Sequence, residues 1–227
     1  GYLCEIKEAQ IRLGLHVFGS LPDPEPLAEL LLCLARAPQQ GMPGLTQALA
    51  LDLGLQLDPW GDPEEAPLDP GDLPRLSDLP QAKEAADKAV RLRCCGDGVE
   101  RLEHWALALS RQALGAAPGS VQSQPLPAPF PTPGENAERV LRHLRERLLP
   151  ALLACGTRER QAFLQGLAGG RIEAGPSGAP TRGRPDLLPT GRNFYSVDLR
   201  GLPTEAAWDL GRRSAELLLD LHRLEQG

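Results

Sequence analysis

The sequence predicts a mainly α-helical fold with long Gly/Pro-rich loops and little β structure. Through most of the 227-residue chain, leucines return at helical spacing, so each such stretch offers one apolar face. Between them lie segments crowded with proline and glycine, at 58–80, 115–133 and 175–198, where regular structure propagates poorly. The best strand candidate is Asn193 to Val197, where Phe194 and Ser196 alternate with Tyr195 and Val197.

Each helical stretch has a local reason. Leu27, Leu30, Leu31 and Leu34 share a face after Pro26, a residue tolerated in a first turn because its missing N–H has no partner to lose. Gly41 and Pro43 close that element, and Leu45, Leu49 and Leu53 form the stripe of the next. From Asp58 to Pro80 the text WGDPEEAPLDPGDLP disfavours strong helix before Ser77. A long helical region is expected from about Leu79 to Ala113, broken near Gly96-Asp97-Gly98, with Val99, Leu102, Trp105, Ala106 and Leu109 on the apolar face of its second half. Gly115 to Pro133 has no periodic face and reads as a loop or crossover, which divides the chain into 1–114, 115–133 and 134–227.

Helical spacing resumes at Val140, Leu141, Leu144 and Leu148. Thr157 can cap a further helix that buries Phe163, Leu164 and Leu167 and stops at Gly169-Gly170. The last helix starts after Thr204 as N-cap, with Glu205 and Asp209 near the positive end of its dipole. Its broad face of Ala207, Leu210, Ser214, Leu217, Leu221 and Leu224 predicts tight packing behind the glycine-rich loop.

Composition excludes several function classes. A net charge of −6, without basic runs interleaved with stacking aromatics, argues against nucleic acid as a partner. No apolar run approaches the ~18–20 residues of a membrane span, and no charged-then-apolar leader is present. Cys4, Cys33, Cys94, Cys95 and Cys155 are odd in number and form no Cys-x-x-Cys, which favours a reducing, cytoplasmic compartment. Cys94 and Cys95 lack the further pair or nearby histidine that would complete a tetrahedral metal set. There is no Gly-x-x-x-x-Gly-Lys-Ser/Thr loop for ATP and no His-Glu-x-x-His helix, and Gly166 to Gly170 reads as a helix C-terminus.

Function is therefore sought at 175–198, GPSGAPTRGRPDLLPTGRNFYSVD. Glycine and proline fix turns and permit close backbone approach, while Arg182, Arg184 and Arg192 supply planar fans of donors for carboxylates or phosphates. Five arginines fall within 171–200 against Glu173, Asp186 and Asp198, a basic island in an acidic chain that suits a small anionic ligand.

This same string, followed by LPTEAAW at 202–208, resembles the signature of the cobaltochelatase large subunit, a family related to the porphyrin-binding large subunit of magnesium chelatase. EIKEAQIRLGLHVFG at 5–19 resembles an earlier stretch of the same subunit, and the likeness is loosest over about 60–130. Phe-Tyr-Ser at 194–196 is more similar to the cobalt branch. Members are far longer than this chain, which begins without methionine and reads as an excised piece. The resemblance implies insertion of Co²⁺, as the substrate metal, into a corrin-ring precursor such as a hydrogenobyrinic acid a,c-diamide-like corrinoid. ATP and Mg²⁺ would be held by AAA+ ATPase partner subunits, and the remainder of the parent chain would complete the cleft.

Metal insertion needs a base for the pyrrole protons, a transient ligand for the ion and a pocket that clamps the macrocycle. Neutral imidazole at His16 suits either of the first two roles, against the competing reading of a structural histidine. Glu5 is a candidate from the resembled signature, although Glu5 and Glu8 flanking Lys7 also make ordinary helical charge pairs. Arg182 and Arg192 are expected to bind tetrapyrrole carboxylates, Asn193 to line the same site, and Tyr195 to stack on or hydrogen-bond the ring edge. Asp198 suits a metal relay or proton acceptor, or a loop brace. Two other readings stay open: magnesium insertion into protoporphyrin, and a helical scaffold that docks the ATPases through exposed segments at 58–80 and 115–133.

Overall fold

A computed structural model describes residues 16–39, 41–80, 92–115, 130–195 and 205–222. Its helices are α1 (Pro24–Arg36), α2 (Leu45–Leu53), α3 (Leu73–Ser77), α4 (Cys95–Gly115), α5 (Glu135–His143), α6 (Leu149–Leu167) and α7 (Glu205–His222). Two short strands, β1 (Ala174–Pro176) and β2 (Asn193–Tyr195), pair in parallel with Ala174 opposite Asn193 and Pro176 opposite Tyr195. The chain is thus mainly helical with minor β content.

The core lies among α1, α2, α4 and α5. Leu31, Leu34, Leu45, Leu49, Leu102, Trp105, Leu109 and Leu144 are all buried, so the leucine stripes read from the sequence do face inward. Pro24 sits at the start of α1 and Arg36 at its negative end, and α2 ends on Gly54 in the left-handed conformation. The break anticipated near Gly96-Asp97-Gly98 falls just before them: residues 92–94 are not helical, and α4 starts at Cys95 with Gly96, Asp97 and Gly98 in its first turn. Asp97 reaches back to the amides of Arg93 and Cys94 at 2.8 and 3.1 Å, satisfying two N–H groups ahead of the helix. Burial raises the Asp97 carboxyl, but these hydrogen bonds override it and hold the group below the usual carboxylate range.

The Pro- and acid-rich stretch 58–80 is held against this core. Asp72 is buried and accepts hydrogen bonds from the amides of Gln56 and Leu57 at 2.9–3.0 Å, while Leu68, Leu76 and Leu79 join the apolar cluster. It contains one helical turn, α3, while Trp60 and residues 61–65 stay exposed.

A second carboxylate acts at long range. Asp52, near the end of α2, accepts from the amides of Asn136 and Ala137 at 3.0 and 2.9 Å and so caps α5 from outside its own sequence. Gly134, at the N-cap position of α5, has no side chain to do this. Replacing Asp52 by Ala is expected to destabilise the start of α5 by about 1–2 kcal/mol, read as faster amide exchange at residues 135–138; unchanged exchange would refute the cap.

From α5 the chain continues through a π-helical turn, Leu144–Leu148, into α6. Pro150 explains the widened turn, since it cannot donate to the carbonyl one turn back and its ring would crowd that oxygen. Helix α6 therefore passes through Thr157, which is not a cap. Phe163, Leu164 and Leu167, expected in the core, are 54%, 63% and 71% exposed. The helix stops as expected, with Gly169 at φ 76° and the amide of Gly170 returning to the Gln165 carbonyl at 2.8 Å.

The last helix departs most from expectation. Trp208, Leu217 and Leu218 of α7 are exposed, so its described side chains do not pack behind the glycine-rich loop. Thr204 lies outside the described residues.

Candidate binding cleft

The glycine-rich segment is a folded loop closed at its base by β1 and β2. Asn193 N–H donates to the Glu173 carbonyl at 2.9 Å and Ser177 N–H to the Tyr195 carbonyl at 3.2 Å. Between the strands the chain makes a turn at 180–183, a 3₁₀ turn at Pro185–Leu187 that buries Pro185 and Leu187, and a cis bond at Leu188-Pro189.

The Pro-Thr-Gly-Arg step that follows is fastened to α6 by three different means. Thr190 donates its hydroxyl to Glu159 Oε1 at 2.5 Å and its amide to Cys155 Sγ at 3.4 Å. Gly191, at φ 86°, brings backbone against backbone: a Cβ there would stand 2.7 Å from the Arg158 carbonyl carbon and 2.8 Å from the Glu159 nitrogen. Glycine is required twice over, by conformation and by space. Arg192 is then directed toward β1, its aliphatic stem filling the position that a side chain on Gly175 would occupy.

The turn preceding α1 reaches the same face of α6. Glu159 is 3% exposed, and its Oε2 accepts the Gly19 amide at 2.6 Å. His16 Nε2 lies 3.0 Å from Oε1 and 3.2 Å from Oε2, with 62% of the His16 side chain still open to solvent. Gly156 permits this approach, since a Cβ there would lie 3.1 Å from the Gly19 carbonyl oxygen. Arg160 donates to that carbonyl, and Phe18 meets Phe163 edge to face at 5.9 Å between ring centres.

Within the loop is a cavity of about 220 Å³ lined by Pro176, Gly178, Pro180, Leu187, Arg192 and Phe194, among others. Arg192 Nε is buried there without a hydrogen-bond partner among the described residues. A buried guanidinium donor left unpaired is costly, and an anionic ligand would relieve it. Apart from Ser177 and Thr190 the rest of the lining is apolar, so the cavity combines hydrophobic walls with one planar cation.

The five described candidates are partly brought together. Arg192, Asn193 and Tyr195 fall within four positions at the β2 end of the cleft, and His16 is linked to that end through Glu159 and Thr190. Asn193 is exposed, and Tyr195 is half-buried. Arg182 sits at the exposed turn, away from the Glu159 junction, without an ion pair to its guanidinium among the described residues. Arg184, counted among the free donors, instead forms a fork with its neighbour Asp186 at 2.9 Å for both bonds. That fork holds the Asp186 carboxyl below the usual range, against the opposing effect of burial. Glu5 and Asp198 lie outside the described residues.

Glu159, Cys155 and Gly156 were not anticipated. They share one face of α6, a carboxylate with two small residues one turn before it, and no local pattern in the sequence marks them as a site.

A helical scaffold that pins a Gly/Arg loop around a cleft lined by an arginine whose Nε is buried defines a class that comparison makes specific. Over residues 1–227 the chain matches the CobN/Magnesium Chelatase family, and it belongs to that family. It is similar to the aerobic cobaltochelatase subunit CobN of Sinorhizobium sp (41% identical over the whole chain, 18% of that protein). The same subunit of Pseudomonas aeruginosa is 43% identical, again over the whole chain and 17% of the relative. In structure it is similar to the catalytic subunit of cobaltochelatase from Mycobacterium tuberculosis, with a TM-score of 0.56 and 34% identity over 98% of this chain and 16% of the other. The chain thus spans less than a fifth of the length of these relatives.

Proposed function

We propose that this chain forms part of the tetrapyrrole cleft, or its lid, in the large subunit of an ATP-dependent cobaltochelatase. The substrate metal is Co²⁺ and the acceptor a corrin-ring precursor of cobalamin, of the hydrogenobyrinic acid a,c-diamide type. AAA+ partner subunits bind and hydrolyse ATP with Mg²⁺, and the complex works in the cytoplasm. The observation that carries this reading is Arg192, whose buried Nε stands unpaired among the described residues in a mostly apolar cleft. A corrinoid offers a flat apolar body with carboxylates on its rim, which is the complement of that lining.

In this reading Arg192 clamps a rim carboxylate, and Arg182, at the exposed outer turn of the loop, takes a second one. Asn193 and Tyr195 contact the ring edge. His16 accepts a pyrrole proton, with Glu5 and Asp198 as further proton or metal relays. Full-coverage similarity to cobaltochelatase subunits supports the cobalt branch over the magnesium one. The test is insertion by the full-length protein with its partner subunits. Co²⁺ entering a corrin ring is the expected result, whereas Mg²⁺ entering protoporphyrin in its place would overturn the assignment.

A second reading is favoured by α7 alone. Its exposed Trp208, Leu217 and Leu218 suit docking of another protein surface. Tight binding of an ATPase subunit by the full-length protein, abolished by charged substitutions at Leu217 and Leu218 with corrinoid affinity intact, would assign docking to this helix.

A further inference from the structure

We infer that Glu159 is the positioning residue of this site, setting the turn that carries His16 and the loop that carries Arg192 through one buried carboxylate. The inference rests on the roles proposed above for those two residues. Glu159 receives Gly19 from 140 positions upstream and Thr190 from 31 positions downstream, so it joins parts of the chain that are far apart in sequence. Its neighbours on α6 do not neutralise it: Arg158 pairs with Glu173 at 2.9 Å, and Arg160 donates to the Gly19 carbonyl. Burying a carboxylate is costly unless its oxygens are well supplied with donors, and here the donors all come from the two segments it fastens.

The geometry also fixes the chemistry offered by His16. A carboxylate accepts hydrogen bonds, so the nitrogen facing it, Nε2, carries the ring proton. The lone pair of neutral His16 is then on Nδ1, on a side chain largely open to solvent. Glu159 thereby selects the tautomer that presents a proton acceptor, without touching substrate itself.

The test uses the full-length protein with its partner subunits and three variants. Glu159→Gln can keep the two segments in place, its amide oxygen accepting from Gly19 and its amide nitrogen donating to the Thr190 hydroxyl oxygen. It does not hold His16 in one tautomer, so kcat is expected to fall about 10–100-fold, as for loss of groups that orient a reactive imidazole, with corrinoid affinity nearly unchanged. Glu159→Ala should lower both kcat and corrinoid affinity, and amide exchange at 16–20 and 189–193 should rise together. Thr190→Val should release the loop alone, weakening affinity with kcat retained.

Equal losses of rate and affinity in all three variants, or collapse of the helical core in each, would show a merely structural role and overturn the inference. Coupled exchange in Glu159→Ala with unchanged rate and affinity would also overturn it. That last outcome leaves the Arg192 clamp to be judged by its own substitution, so failure here and failure of the binding reading are separable.

Discussion

Gly191→Ala is expected to abolish corrinoid binding by the full-length protein while leaving its helical core intact. The left-handed conformation at φ 86° costs a residue with a Cβ about 1–2 kcal/mol. The larger effect is steric, since the new carbon would stand 2.7 Å from the Arg158 carbonyl carbon, in a helix backbone that has no rotamer to change. Each hydrogen bond fastening the neighbouring Thr190 contributes about 0.5–3 kcal/mol, so a clash at Gly191 competes directly with the attachment it adjoins. The loop is therefore expected to leave α6, taking Arg192 out of the cleft. The buried cluster of α1, α2, α4 and α5 does not depend on that contact. Circular dichroism should show retained helix, and titration should show no corrinoid bound at concentrations that saturate the wild type. Saturable wild-type binding by Gly191→Ala would show that the cleft does not need this approach.

Arg192→Lys isolates the clamp from the loop. Lysine keeps the positive charge and most of the aliphatic stem that packs on Gly175, but it replaces a planar fork by a single ammonium. Wild-type Arg192 already has its stem ordered and its Nε desolvated, so it loses little entropy on meeting a carboxylate. A loss of about 1–3 kcal/mol in corrinoid affinity is expected, the range for a hydrogen bond to a charged partner. The loss should appear in binding more than in the chemical step, because the contact is made in ground and transition states alike.

What could be read from the sequence followed locality. The stripes of α1 and α2 were legible because helical spacing of leucine reports a buried face directly. For α7 the same periodicity was real and the inference failed, since a pattern identifies an apolar face without naming what covers it. Thr157 looked like a cap because capping chemistry is local, whereas the continuity of α5 and α6 is set by the packing of Leu144, Leu148 and Leu149 on the core. The folded turn that carries Arg192 was legible from the glycine and proline around it. Glu159 was not, because its value comes from partners far away in sequence and no local pattern marks a carboxylate that two distant segments will share.

The central claim is that this cleft recognises a corrinoid through its rim carboxylates. It is tested most directly by equilibrium binding of two corrinoids, one with free side-chain carboxylates and one with all of them amidated, to full-length wild type and Arg192→Lys. A carboxylate clamp predicts that the free acid binds the wild type about tenfold or more tightly than the variant, while the amidated ring binds both proteins alike. Equal affinity of the free acid for wild type and Arg192→Lys would contradict it.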